Sequence, residues 1–415
     1  MADDLHSRLR PATAEEWAPF RQAMSDAFGG TPTEPYLTTP PPVAEMDRSL
    51  ALFDGDRVLA TAGIFSRTLT VPGAVVPCAG VTWVTVAPTV RRRGVLTEMM
   101  RRQLTGLHEE EREPVAALWA AEFPIYGRFG YAPAAYRGGL TGRLERLRLR
   151  ADVDLGTGRV DLVDKETYRP AAAALYEQVR RHVPGNLARD ERWWERRLLD
   201  LPDERHGATA LRFLLHTETD GTVSGYAAWR MKESWDDGTG EPDGTLIVEE
   251  VRANSTQAYA SLWKVLLSVD LVRTVTVSLA SPDDPLRQLV TDQRALAVRP
   301  IDALWVRLVD VGRALSARRY PAPIDMVFEV RDPFCEWNNG RWHAWGHPAG
   351  AFCDRTDRDP DIVLGIEELS AVYLGGTSLA TLQAAGRVTE VSPGAVTQAS
   401  TAFRWPITPW CPDEF

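Results

Sequence analysis

Residues 81–104, VTWVTVAPTVRRRGVLTEMMRRQL, set an arginine- and glycine-containing turn between a β-branched run and an amphipathic run. That pattern suits phosphate binding. Val81, Thr82, Val84, Thr85 and Val86 favour a strand, which ends at Ala87-Pro88 because proline removes a ladder donor. Leu96, Met99, Met100, Leu104 and Leu107 recur at spacings of three and four, so they share one face of a helix with Gly94 at its mouth. The unpaired N–H groups and partial positive charge of a helix N-terminus stabilise a pyrophosphate, and Arg91, Arg92 and Arg93 add full charges. A second segment, EFPIYGRFGY at 122–131, reads by itself as aromatic core under a helix.

The first segment resembles the acyl-CoA loop of the GNAT N-acetyltransferases, with Arg91-x-x-Gly94-x-Leu96 in place of Arg or Gln, two residues, Gly, one residue, Gly or Ala. Leu96 departs from the general pattern. RRRG followed by two aliphatic residues narrows the resemblance to the Eis (enhanced intracellular survival) family, and 122–131 resembles that family's second signature. The resemblance implies acetyl-CoA as co-substrate, held by Val84, Thr85, Val86, Arg91, Arg92, Arg93, Gly94, Val95, Leu96 and Thr97, with Ala121 and Glu122. No metal is implied.

Acetyl transfer needs a neutral amine, donors for the developing oxyanion and a proton for the departing thiolate. The resemblance supplies a candidate for each. Tyr126 stands where GNAT enzymes place a tyrosine hydroxyl beside the CoA sulfur, and a phenol with pKa near about 10 stays protonated at neutral pH. Backbone N–H groups of Val84, Thr85 and Val86 would face the oxyanion if their strand splays from its neighbour, as it does in that fold. In Eis the terminal carboxylate returns to the active site, and Phe415 matches that position. With an ordinary pKa of about 3.3–3.7 it is a weak base, suited to orienting an ammonium or relaying a proton. Asp26, Tyr36, Trp83 and Glu414 carry over to the amine pocket, with Tyr36 where the family more often has tryptophan. Carboxylates and aromatic faces suit a multiply charged amine.

The implied activity is N-acetylation of primary amines on aminoglycosides, polyamines or lysine side chains, by direct attack in a ternary complex. Two other readings stay open: an acyltransferase using longer acyl-CoAs, and an acyl-CoA- or lipid-binding sensor without transfer activity. Eis proteins assemble as hexamers, so a homohexamer is implied too.

These residues need a scaffold, and 415 residues predict two to four domains at about 100–200 residues each. The expected fold class is α/β (α+β): two tandem GNAT-like mixed-sheet domains followed by a sterol-carrier-like α/β domain. In the first, 1–150, Thr13 to Glu16 form a capping box before a helix carrying Trp17, Phe20, Met24 and Phe28, which Pro19 kinks or delays. Strands are predicted at 51–65 and 67–71, a turn at Pro72-Gly73, the cofactor strand, and a buried strand at 115–120. The second, 151–300, reads as helices at 168–183, 190–199 and 256–272 with strands at 224–231 and 245–252, and it lacks an Arg-x-x-Gly turn. The third, 301–415, resembles the sterol-carrier-like domain of Eis through VFEVRD at 327–332, Gly340-Arg341-Trp342, CDRTD at 353–357, Leu374-Gly375-Gly376 and AGRV at 385–388. Sheet edges and an apolar helix explain those residues equally well.

Charge and cysteine usage bound the partners. With 47 basic against 57 acidic residues the net charge is −10, which disfavours nucleic acid and favours cationic ligands. Only Lys165, Lys232 and Lys264 are lysines, so the protein offers few sites for its own acetylation. Cys78, Cys335, Cys353 and Cys411 show neither metal-type spacing nor a disulfide framework. A charged start without an apolar core, and no window near about 20 apolar residues, predict a cytoplasmic protein without membrane association.

Overall fold

The computed structural model describes residues 7–415, except for the side chains of residues 35 and 36. The chain divides into two compact units. One comprises residues up to Ala134, Leu304–Pro406 and Glu414–Phe415; the other comprises Ala135–Ala303 and Ile407–Asp413.

The first unit holds a seven-stranded sheet in the order Leu9–Arg10, Leu50–Asp54, Arg57–Val71, Ala74–Val86, Val115–Trp119, Leu304–Leu308, Ala132–Pro133. Its strands pair antiparallel except Ala74–Val86 with Val115–Trp119, which run parallel. A parallel pair needs a crossover, and the Val95–Glu110 helix supplies it. That helix buries Met99, Met100, Leu104 and Leu107 of the predicted stripe, with Leu96 half-buried near its start.

Local chemistry moves several expected boundaries. The first helix spans Trp17–Ala27, so Pro19 lies in its opening turn, where a missing N–H costs nothing. Glu16, rather than Thr13, precedes it, and the Glu16 carboxylate accepts the Thr13 N–H at 2.9 Å. Phe28 falls just beyond the helix and is exposed, not part of the buried face. The predicted break at Ser66 is absent: Arg57–Val71 runs through it, and the hairpin turns instead at Gly55, whose φ is 59°.

The same unit holds a five-stranded sheet in the order Gly350–Arg355, Gly340–His347, Ile324–Arg331, Ile362–Gly365, Val388–Glu390. Phe403 on the Ala395–Phe403 helix packs on Phe328 with ring centroids 5.9 Å apart. Fully buried Arg318 donates to the carbonyls of Tyr373 and Phe403 at 2.6 and 2.8 Å, which satisfies its cation inside that core.

The second unit is built on a seven-stranded sheet in the order Leu296–Asp302, Tyr136–Arg143, Val272–Ala280, Gly244–Ala253, Val223–Lys232, Arg212–Thr217, Arg159–Val163. Two strands sit apart from the expected segments. Tyr136–Arg143 pairs in this sheet although the first domain was expected to run to 150, and Leu304–Leu308 pairs in the first sheet although the third was expected from 301. The helix predicted over 256–272 stops at Leu266, and the β-branched run at Val272–Ala280 becomes a strand parallel to Gly244–Ala253. Among the described residues no helix is long and apolar enough to cross a membrane.

Candidate active site

The arginine turn has a backbone compatible with an anion site. Arg92 and Gly94 are both left-handed, at φ 61° and 81°, and left-handed residues within a turn are one way backbone N–H groups form anion-binding nests. Left-handed backbone costs a non-glycine residue about 1–2 kcal/mol, so Arg92 marks a conformation the surrounding fold imposes. Arg91, Arg92, Arg93 and Gly94 are exposed, and Arg91 Nε donates to the Val86 carbonyl at 3.1 Å, tying the turn to the end of its strand. Val95 is buried in the core and Leu96 and Thr97 are half-buried, so only their backbones are placed to meet a phosphate.

The splay that sequence leaves open is present. Parallel pairing runs through Cys78↔Val115, Ala79↔Ala116 and Gly80↔Ala117 and then stops, although both strands continue. A fork opens there. Beyond it Val84 and Val86 are half-buried, and Thr85 is buried with its hydroxyl 2.6 Å from that of Thr61.

On the other edge of the same strand the ladder with Arg57–Val71 shifts register between Thr61↔Thr85 and Gly63↔Thr82, so Ala62 faces both Trp83 and Val84. This is a β-bulge, and Trp83 sits in it at φ 56°. The extra residue changes which side chains share a face. The Trp83 ring lies over Gly63, where a Cβ would stand 2.7 Å from its Cε3, and meets Phe65, Trp17 and Phe20 edge-on at 4.9, 5.5 and 5.8 Å.

Tyr126 and Phe415 reach the fork from opposite faces. Tyr126, directly before the Gly127–Phe129 turn, is only 7% exposed and packs in a cluster with Ala79, Val81, Met100, Leu118 and Trp305. Burial first, with the charge of Glu122 adding, pushes its phenol up to about 12. Glu122 and Ala121 themselves are exposed. Tyr131 stacks edge-on against Tyr126 at 6.1 Å and is wholly buried, and burial drives its phenol far above the tyrosine range, as befits a core residue. Phe415 lies on the other face: a Cβ on Gly80, the last paired residue before the fork, would stand 3.0 Å from its Cε2 and 2.9 Å from Arg67 Cγ. The buried Arg67 guanidinium sits 5.9 Å from the Phe415 ring centroid.

The expected amine pocket is met only in part. Trp83 joins the aromatic shelf. Asp26 is exposed on its helix and accepts from Gln22 at 2.6 Å, because the inward positions of that helix belong to Trp17, Phe20 and Met24. Glu414 is exposed, and the Tyr36 side chain lies outside the described residues. In the last stretch it is Asp413 that is held, its carboxylate accepting from Arg189 at 2.7 Å and from Tyr176 at 3.1 Å in the second unit. Thr61, Gly63, Phe65, Arg67 and Gly80 escaped the sequence reading. Period-two spacing puts 61, 63, 65 and 67 on one strand face, which was the available signal.

The Tyr126 turn is braced within its own unit. Gly130, at φ 82°, lies where a Cβ would be 2.6 Å from Arg307 Nη1 and 2.8 Å from Ile366 Cγ2. Arg307 and Asp332, both fully buried, pair through Nη2 and Oδ2. Asp332 also accepts from the N–H groups of Phe334 and Cys335 and from Asn338, so its charge is fully surrounded by donors.

In the second unit the corresponding strand–helix junction carries a side-chain cap. Ser255 accepts the Ala258 N–H at 3.2 Å, capping the Thr256–Leu266 helix from within, and no arginine turn precedes it.

This architecture is that of an acetyltransferase: residues 8–134 and 185–308 each match an acetyltransferase (GNAT) domain, and 311–412 match a sterol carrier protein domain. An N-acetyltransferase of Streptomyces avermitilis is 41% identical, over 98% of this chain and 99% of its own. The N-acetyltransferase Eis of Mycobacterium tuberculosis is 34% identical, over 84% of each chain. The crystal structure of Eis1 from Mycobacterium abscessus superposes with a TM-score of 0.83 at 32% identity, covering 98% of this chain and 100% of that one. The chain belongs to the Eis family of GNAT N-acetyltransferases.

Proposed function

We propose that this acetyltransferase moves the acetyl group of acetyl-CoA directly to a primary amine of a cationic acceptor, an aminoglycoside, a polyamine or a lysine side chain, within a ternary complex. The observation that carries the reading is the fork after Gly80↔Ala117, with a buried Tyr126 on one face and Phe415 on the other. Arg91, Arg92, Arg93 and the N–H groups from Gly94 to Thr97 hold the pyrophosphate. Val84, Thr85 and Val86 run along the acyl arm, with Ala121 and Glu122 at its far side. Tyr126 donates a proton to the departing sulfur. The Phe415 carboxylate orients the ammonium and relays its proton, while Trp83 and Phe65 give it an aromatic wall and Tyr36 and Glu414 contribute to the approach. The second GNAT domain, its helix capped by Ser255, binds no CoA. The family's homohexamer in the cytoplasm completes the reading, and light scattering should return a particle of several chains; a monomer at micromolar concentration would contradict that part.

Mass spectrometry of aminoglycosides, polyamines and lysine peptides incubated with enzyme and acetyl-CoA tests the acceptor. Acetylation of a primary amine in at least one class is expected, and its absence in all three would refute the assignment. Deletion of Phe415 should lower kcat at least about tenfold, as loss of a proton-relay group does, with acetyl-CoA affinity retained. Unchanged kcat would remove the carboxylate from the mechanism.

The arginine turn makes a separate expectation. Charged hydrogen bonds contribute about 1.5–3 kcal/mol each when made, so replacing Arg91, Arg92 and Arg93 together by Ala should raise KM for acetyl-CoA tenfold or more, at about 1.4 kcal/mol per decade. The salt dependence of that KM should flatten, because exposed charges act through screened fields. A KM that keeps its value and its salt slope would place the pyrophosphate elsewhere.

A further inference from the structure

We propose that Thr61 is a positioning residue of the transfer reaction: its hydroxyl locks the Trp83 peptide so that the Val84 N–H is presented to the thioester oxygen. The proposal deepens the acetyltransferase reading and rests on it. Thr61 is fully buried on the strand beside the cofactor strand, and its Oγ1 donates to the Trp83 carbonyl at 2.6 Å. A threonine has one hydroxyl hydrogen, so the 2.6 Å contact with Thr85 must run from Thr85 to Thr61. The two hydroxyls thus form a directed chain ending on that carbonyl.

The direction matters because of peptide geometry. The peptide bonds are trans, and in a planar trans peptide the C=O of one residue and the N–H of the next point opposite ways. With the Trp83 carbonyl turned toward Thr61, the Val84 N–H of that same peptide points away from the Arg57–Val71 strand, to the side on which Val115–Trp119 has already left the ladder. Alternation turns the Thr85 N–H back toward the Arg57–Val71 strand and the Val86 N–H outward again, two residues farther from the fork at Gly80, so Val84 is the donor assigned to the oxyanion. Gly63 secures the other half of the arrangement, because any Cβ there would displace the Trp83 ring. Thr61 and Gly63, two apart on one strand, therefore fix carbonyl and ring of a residue held in left-handed backbone.

Thr61→Val keeps the shape of the side chain and deletes the hydrogen bond. Steady-state kinetics of wild type, Thr61→Val and Thr61→Ser, beside calorimetric CoA binding, should show kcat of Thr61→Val down about a hundredfold, the scale for losing one oxyanion donor. CoA affinity and the acetyl-CoA KM should hold within about twofold, and Thr61→Ser should restore kcat to within a few-fold. A merely structural residue would move affinity and melting temperature together with kcat, and that pattern overturns the proposal, as does a wild-type kcat in Thr61→Val. If Thr61→Val does not fold, Thr61→Ala, which also removes the hydroxyl donor, takes its place under the same expectations. Absence of transfer by the wild type itself would bring down the acetyltransferase reading, and this proposal with it; normal wild-type transfer with a fully active Thr61→Val sinks the proposal alone.

Discussion

Tyr126→Phe should lower kcat for acetyl transfer by about 10²–10⁴-fold, the range for loss of a general acid, with CoA binding unchanged. The ring can stay where it is, since Tyr126 packs among Ala79, Val81, Met100 and Leu118 and against Tyr131, all contacts a phenylalanine preserves. Only the proton donor is lost. Burial holds the phenol at about 12, above its ordinary value near 10. A raised pKa keeps the protonated, donating form dominant up to that value, so kcat in wild type should rise with pH as the amine loses its proton and should fall only as pH passes through about 12. A pH–rate profile with a descending limb near neutrality would assign the proton donor to another group, as would near-normal kcat in the phenylalanine variant.

Arg307→Met should destabilise the first unit by about 3–5 kcal/mol, because it leaves a buried carboxylate without its partner. Asp332 is fully buried and surrounded by donors suited to a charged carboxylate, and removal of Arg307 takes away the compensating cation. Removing the charge on both sides, as in Arg307→Met with Asp332→Asn, should recover part of the loss, since neutral groups carry a smaller burial cost. Urea unfolding followed by tryptophan fluorescence measures both. Equal stability of Arg307→Met and wild type would mean that the pair contributes nothing. The same variant should also loosen the Tyr126 turn, because Gly130 rests on the Arg307 guanidinium.

Much of this was legible in the sequence because it follows from local rules. The Val95–Glu110 helix, its buried stripe and the Gly94 mouth come straight from residue spacing, and the Pro72-Gly73 turn from residue type. Strand partners did not. The character of Tyr136–Arg143 and Leu304–Leu308 is written in their residues, but which sheet each joins depends on partners more than a hundred positions away in the chain, as in Thr276↔Thr141 and Val306↔Ala117. The helix expected over 256–272 overran because apolar residues continue past Leu266, and periodicity alone does not separate a helix end from a following strand.

The site divides the same way. The arginine turn and Tyr126 were readable as motifs, since each is contiguous. The bulge at Trp83, the clip from Thr61, the bare backbone of Gly80 under Phe415 and the brace from Arg307 are products of register and tertiary packing. Asp26 shows the converse limit: its type suited a cationic acceptor, yet helical phase turns it outward beside Gln22.

The most direct test is the initial rate of CoA thiol release with acetyl-CoA and the best primary amine both varied. Release that requires the amine, with double-reciprocal lines that intersect, is the predicted result, since both substrates must be present at the fork together. Parallel lines would signal an acetylated enzyme and contradict direct transfer. Tight acetyl-CoA binding without amine-dependent release from any acceptor would contradict the transferase account itself.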